Sequence, residues 1–282
     1  MKHLFTIISL ALIPFAAMPQ KTIFEYEDSV RIEEILHRIA SENISTTGER
    51  LISIANEFIG EKYVAGTLEQ GAGEPLFISC TKLDCTTFVE LVLAIAKTSH
   101  DGDAKFSDVC HNLETIRYRN GINSGYSSRL HYISWWIRDP AKKGIIEEIT
   151  PLISNEKQLL NINFMSTHPD CYPLLADNNE LIKEIEQLEI PYRGIEVNYI
   201  PKEEVHDSGC ENIRSGDIVA ITTSIPGLDV THIGFAYYHN GTLGLLHASS
   251  GKGEVMKETR TLRDYLAGKK SHTGIRVFRS KF

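Results

Sequence analysis

Leu83-Asp84-Cys85-Thr86-Thr87-Phe88-Val89-Glu90-Leu91-Val92-Leu93-Ala94-Ile95-Ala96 is an apolar run without glycine or proline, with one cysteine near its start. Asp84 is a good N-cap, which sets Cys85 in the first turn of a helix. Leu83 and Phe88 have the spacing of a hydrophobic staple over that turn. At a helix start, unpaired N–H groups and the positive end of the dipole favour a thiolate over a thiol. Because the thiolate is the nucleophilic form, Cys85 is a candidate nucleophile. The alternative is a buried structural cysteine, the commoner fate of a lone cysteine under a helix.

The remaining composition narrows the function classes. The chain has 282 residues, 42% hydrophobic and 23% charged, long enough for a large core or a domain with a sizeable insertion. Its net charge is −8 and no Lys/Arg run stands out, which argues against nucleic acid or an anionic membrane as partner. Residues 1–20 read as an export signal: Lys2, then an apolar core from Leu4 to Ala17 interrupted by Pro14, with small residues Ala16 and Ala17 before a cleavage site near 17–20. Once it is removed, no membrane span is expected. Export permits disulfides among Cys80, Cys110, Cys171 and Cys210, with connectivity open; an odd total of five cysteines leaves at least one free.

Taken in order, residues 24–42 carry Val30, Ile32, Ile35, Leu36 and Ile39 on one helical face, and Thr47 is expected to cap a second helix that Gly60 stops. Residues 63–75 are loop-like. A third helix is expected over about 104–119 and another over Asn178–Leu188, with strand-like pieces at Ile145–Ile149 and Glu196–Ile200. The last eighty residues change character. Ile218–Thr222, His232–Tyr238, Leu243–His247, Val255–Lys257 and Ile275–Phe278 read as strands, with Asn240-Gly241 as a hairpin turn and Leu262–Leu266 as a short helix. Helices first and an antiparallel meander after them make an α+β order.

A thiolate needs a base nearby and a third group to orient that base. His232 starts one strand of the hairpin and His247 ends the next, so the two imidazoles are expected close together at the strand ends. His232 would pair with Cys85, and His247 would hold the His232 ring, as triad logic requires. With eleven histidines in the chain, two on one hairpin by chance is the competing reading.

The wording of these segments adds more than their spacing. Asp84-Cys85, Gly216-Asp217-Ile218-Val219, His232-Ile233-Gly234-Phe235 and His247-Ala248-Ser249 resemble, in order, the pattern of the NlpC/P60 papain-like cysteine peptidases and amidases of bacterial cell-wall peptides. Phe58 to Gly66, around Tyr63, looks like the family's Gly-x-x-Tyr segment. Thr86-Thr87 departs from the family's Ser-Gly. The interval from Cys85 to His232 is roughly half the chain, so residues of about 97–212 read as an insertion into a single catalytic domain covering 21–282. Cys-Thr-Thr-Phe-Val-Glu and Arg129 to Trp136 resemble the DUF1460 branch. That resemblance implies an N-acetylmuramoyl-L-alanine amidase that takes muropeptides as substrate and has Cys85, His232 and His247 as catalytic residues; the export signal places it in the periplasm or outside the cell.

The insertion would then supply recognition. Trp135, Trp136 and Tyr132 offer flat faces for a sugar, and Arg129 a bidentate partner for a peptide carboxylate. The competing reading is core aromatics with a surface arginine. Asn163 to Pro169 is a further stretch that can line the cleft. The resemblance places Tyr63 beside the active cysteine, and Asp84 adjoins it directly; both are candidate substrate contacts. No metal or other cofactor is called for, since no C-x-x-C or H-E-x-x-H pattern is present, and a monomer is expected. The alternatives are an endopeptidase cleaving after D-Glu with the same triad, separated by the fragments it releases; a zinc amidase, separated by chelation; and a cell-wall-binding module without turnover.

Overall fold

The computed structural model describes residues 21–69, 73–101 and 104–282. The export segment read at 1–20 lies outside the described residues.

Helix α1 (Tyr26–Ser41) buries Ile32, Ile35, Leu36 and Ile39, the i, i+3, i+4, i+7 stripe its sequence carries. Helix α2 (Thr47–Asn56) is capped one residue earlier than expected. Thr46, in extended backbone, accepts from the Glu49 N–H, while Thr47 is already helical. Gly60, at φ +88°, closes the turn that follows. Helix α3 (Cys85–Asp101) is buried on almost every side from Thr87 to Ala96, as its unbroken apolar run demands. It packs on the sheet with one face and against α1, α2 and α4 (Phe106–Arg117) with the others. Phe88 of α3 meets Phe58 edge-on at 6.3 Å and Phe235 of the sheet at 5.8 Å, tying the three layers at one point. A buried ion pair, Arg117 Nε to Glu90 Oε2 at 2.7 Å, fastens α4 to α3.

The strands are β1 (Thr22–Ile23), β2 (Lys62–Tyr63), β3 (Leu76–Phe77), β4 (Lys82–Leu83), β5 (Ile146–Glu148), β6 (Lys157–Asn161), β7 (Arg193–Asn198), β8 (Ile200–Pro201), β9 (Ile218–Thr223), β10 (Val230–His239), β11 (Thr242–Ser249), β12 (Glu254–Lys257) and β13 (His272–Ser280). The main sheet runs β4-β2-β12-β11-β10-β9-β13-β5, with β8 also on β13. β9 to β12 form the antiparallel meander the sequence indicates. Asn240 and Gly241, at φ 50° and 77°, make the tight β10–β11 turn, and His239 stands opposite Thr242. β13 does not extend the meander at its β12 end. It returns to pair with β9, which places β10 and β11 in the interior of the sheet. β6 and β7 form a separate antiparallel pair. Between α3 and β9 the chain adds α5 (Ile133–Lys142), α6 (Phe164–Thr167) and α7 (Asn179–Glu189); α8 (Leu262–Ala267) precedes β13. The architecture is α+β. Among the described residues no helix is long and apolar enough to cross a membrane.

Candidate active site

Cys85 is the first residue of α3, and the start of that helix is built by side chains. Asp84 Oδ1 accepts from the N–H groups of Thr86 (3.0 Å) and Thr87 (2.8 Å), and Thr87 Oγ1 accepts from the Asp84 N–H at 2.9 Å. The Thr87 hydroxyl therefore completes a reciprocal cap with Asp84, to which Thr86 contributes only its N–H. The sulfur opens on a cavity of about 300 Å³. Its surroundings do not favour the thiolate expected at a helix start. Burial pushes the thiol up, the Asp84 carboxylate adds to this, and the N–H groups of Ile233 and Cys85 with the Thr86 hydroxyl offset only part of it, leaving the thiol at about 12. The residue that caps the helix is itself an anion beside the sulfur.

From the sheet, His232 lines the same cavity and His247 stands buried behind it. The β10–β11 register sets Phe235 opposite Leu246, so one residue further on Gly234 faces His247. A Cβ on Gly234 would stand 2.9 Å from the His247 Cβ and 2.8 Å from the Leu246 carbonyl oxygen. Glycine is therefore required for His247 to project where it does. A bulge in the β9 pairing between Val230 and His232 re-aims His232 at the strand start. His232 Nε2 and His247 Nδ1 are 2.6 Å apart, with the rings nearly perpendicular. Burial pushes His232 down to about 3, helped by the charge His247 would carry, and pushes His247 down to about 4, partly offset by the Glu258 carboxylate. Both rings are neutral at pH 7. Cys85 and His232 line one cavity, but no hydrogen bond joins them among the described residues.

The expected substrate contacts divide. Tyr63 faces Leu83 across the parallel β2–β4 pair, which brings it beside Cys85. Burial raises its phenol to about 12, and the charges of Cys85 and Asp84 add to the rise. Asp84 lines the cavity, and its Oδ2 makes no hydrogen bond among the described residues. Arg129 also lines the cavity, but its guanidinium is already spent on Glu69 and on Glu74, whose Oε1 is 3.2 Å from Nε. With two carboxylates facing it, Arg129 is not a free partner for a third. Trp136 is not a substrate contact: it is 0% exposed, and Trp135 is 1% exposed. Helix α5 buries both indoles, Trp135 packing edge-on against Tyr132 at 4.8 Å, so neither presents a face to a sugar. Tyr132 does reach the cavity wall, as do Met165 of the Asn163–Pro169 stretch and Tyr172.

Tyr265 stands against both histidines without any sequence motif to signal it. Its ring lies 6.1 Å from that of His232 and 5.3 Å from that of His247. Nothing local to α8 signals this, because α8 meets the strands only once it packs on the sheet. All five cysteines are free, and among the described residues no group of three or more His, Cys, Asp or Glu is placed to hold a metal.

The fold is mixed α+β, and comparison with known proteins gives the chain an amidase-like family. Residues 53–275 match the family model AmiA-like, described as N-acetylmuramoyl-L-alanine amidase-like. The chain belongs to that family. It is similar to the crystal structure of an N-acetylmuramoyl-L-alanine amidase from Bacteroides uniformis, with 39% identity and a TM-score of 0.81 over 84% of this chain and 100% of that one. A Bacteroides fragilis structure whose given name proposes a xylanase is 45% identical, with a TM-score of 0.78 over 80% and 99% of the two chains. A Legionella pneumophila protein of the family model DUF1460 shares the fold at 24% identity and a TM-score of 0.68, over 91% and 95%. No curated protein matches.

Proposed function

We propose that this protein is a cysteine-dependent N-acetylmuramoyl-L-alanine amidase built on a papain-like NlpC/P60 core. It would hydrolyse the amide between the lactyl group of muramic acid and L-Ala in muropeptides. The observation that carries the reading is that Cys85, at a helix start, and His232 line one cavity of an amidase-family chain, with the buried His247 bonded to His232 from behind. The resting pair is a neutral thiol and a neutral imidazole. In the proposed reaction the Cys85 sulfur attacks the amide carbonyl as its proton passes to His232 Nδ1, the nitrogen not engaged with His247. The backbone N–H of Cys85 at the helix start is the candidate oxyanion donor. The His232 imidazolium then protonates the leaving amine of L-Ala. A water, deprotonated by the neutral ring, cleaves the thioester and releases the lactyl carboxylate, and the proton returns to sulfur.

Recognition is assigned to the insertion of about 97–212, which contributes Arg129, Tyr132, Met165 and Tyr172 to the cavity wall. The Tyr63 hydroxyl and Asp84 Oδ2 are the polar groups proposed to meet substrate. The enzyme is taken to act as a monomer outside the cytoplasm, after loss of residues 1–20. A glycosidase, as the name of the Bacteroides fragilis relative suggests, needs two free carboxylates flanking the bond. Here Glu69 and Glu90 are tied to arginines, and Asp84 and Asp229 accept from N–H groups at the starts of α3 and α5.

The test is incubation with defined muropeptides, read by mass spectrometry. Release of intact stem peptide beginning at L-Ala is expected, and Cys85→Ala should abolish it while leaving the circular dichroism spectrum unchanged. Cleavage after D-Glu would replace this reading with the endopeptidase, and full activity in Cys85→Ala would sink both.

A further inference from the structure

Behind His247 lies a buried carboxylate that the proposed reaction does not use. Glu258 follows β12 and is 3% exposed. Its Oε1 accepts from Arg260 Nε at 3.1 Å and from the N–H groups of Thr259 and Arg260 at 3.0 and 3.2 Å, and its Oε2 accepts from Arg260 Nη2 at 3.0 Å. The backbone is pinned as well. The Glu258 N–H donates to the Leu245 carbonyl of β11, and the Tyr237 hydroxyl donates to the Glu258 carbonyl at 3.1 Å. Oε2 stands 3.8 Å from His247 Nε2. That nitrogen is buried and has no hydrogen-bond partner, an arrangement that calls for an explanation. A bond of this kind is often long in the unliganded enzyme and tightens in the loaded one.

The chemistry of the pair decides where the proton sits. An ionised carboxylate can only accept. A lone pair on His247 Nε2 would be repelled by it, whereas an N–H is attracted. With the proton on Nε2, His247 Nδ1 is bare and must accept from His232 Nε2, 2.6 Å away. His232 Nδ1 is then bare in turn, and it is the nitrogen left for Cys85. Burial would raise the Glu258 carboxyl, but the hydrogen bonds and charge of Arg260 outweigh this and hold it at about 2, so the anion is present throughout the working range.

We infer that Glu258, clamped by Arg260, is a positioning residue that selects the Nε2-protonated tautomer of His247 and so leaves His232 Nδ1 as the base. This rests on the Cys85–His232 reading above. It involves no proton transfer to Glu258: the Cys85 proton stops at His232 Nδ1, and the carboxylate balances the imidazolium formed there. A pH readout must reckon with every group facing the two rings. His247 is faced by His232, Glu258, Arg260 and the Tyr265 ring, and His232 by His247, Lys269, His272 and Tyr265, with Cys85 and Asp84 lining its cavity.

Two measurements on the full chain test the inference. The first, nitrogen-15 NMR of labelled histidine at pH 7, needs no substrate, so it stands even if muropeptides prove not to be hydrolysed. His247 is expected to carry its proton on Nε2; a proton on Nδ1 overturns the inference. The second is kinetic. Glu258→Gln should lower kcat by about 10- to 100-fold, by analogy with the loss of a carboxylate that orients a metal-bound histidine, with little change in KM, since Glu258 lines no part of the cavity. Glu258→Asp, which keeps the charge, should recover part of the loss. The acid limb of kcat/KM should move to lower pH in Glu258→Gln, which loses the anion that favours protonated His247, and to higher pH in Arg260→Gln, which loses a cation that opposes it. Wild-type kcat per folded molecule with an unmoved acid limb in Glu258→Gln overturns the inference. If Glu258→Gln fails to fold, Arg260→Gln and the NMR tautomer decide the matter.

Discussion

At Cys85 two local rules act against each other. The helix start supplies N–H groups that favour a thiolate, but the burial of the sulfur and, after it, the carboxylate of the cap, Asp84, oppose it, and together they win. The position of the proposed nucleophile is legible in Asp84-Cys85, because capping is a property of neighbouring residues. The state of its proton is not, because burial depends on what the rest of the chain stacks over the sulfur. The consequence can be measured. Alkylation of Cys85 by iodoacetamide, followed on its own peptide by mass spectrometry, should rise about tenfold per pH unit through pH 9 and beyond, without the plateau near 8.5 of an ordinary thiol. A plateau below pH 7 would restore the resting ion pair. Trp136 fails as a sugar platform for a related reason. Neighbouring indoles suggest one inside and one outside, yet α5 is covered on both sides, and exposure is not encoded in a dipeptide.

Elements impose the next constraint, through register. His247 and His232 meet because the two-residue Asn240-Gly241 turn fixes the β10–β11 pairing and Gly234 clears the space opposite His247. Gly234→Ala should displace His247 by a fraction of an ångström to an ångström and lower kcat about 100-fold, as such misplacements do, measured alongside a thermal melt to separate the catalytic from the structural loss. Unaltered kcat would show that the sheet absorbs the methyl. The pairing of α3 with α4 offers a test of stability. Arg117→Met leaves Glu90 buried without its partner and should cost about 3–5 kcal/mol in urea unfolding, whereas the double change Arg117→Met with Glu90→Leu should recover most of it. The hairpin was legible because its turn is local. The return of β13 to β9 was not, since it joins segments about fifty residues apart and depends on which sheet edge stays open.

Over the whole molecule, the neutral histidines link folding to pH. His131, His232, His247 and His272 are all held below the ordinary imidazole range, burial being the first cause in each. A lowered histidine binds its proton in the unfolded chain first, so its contribution favours folding above the unfolded value of 6.5 and turns against folding as pH falls towards the folded value. For His247 that window runs from 6.5 to about 4. Within it, urea unfolding of His247→Asn relative to the parent should improve by about 1.4 kcal/mol for each pH unit lowered. Parallel pH dependence in the two proteins would mean that His247 is not held neutral.

By itself the sequence determined the α+β order, the helix that starts at Cys85, the hairpin that carries two histidines, and the cell-wall amidase family these motifs resemble. Each follows from caps, turns and periodicities written within a few residues. Only the tertiary structure decided that the thiol and both imidazoles rest neutral, that Trp135 and Trp136 are core, that Arg129 is already paired with Glu69 and Glu74, and that Glu258 and Tyr265 stand against the histidines. Those outcomes depend on desolvation and on charges brought together from distant parts of the chain, and neither exists until the layers have closed.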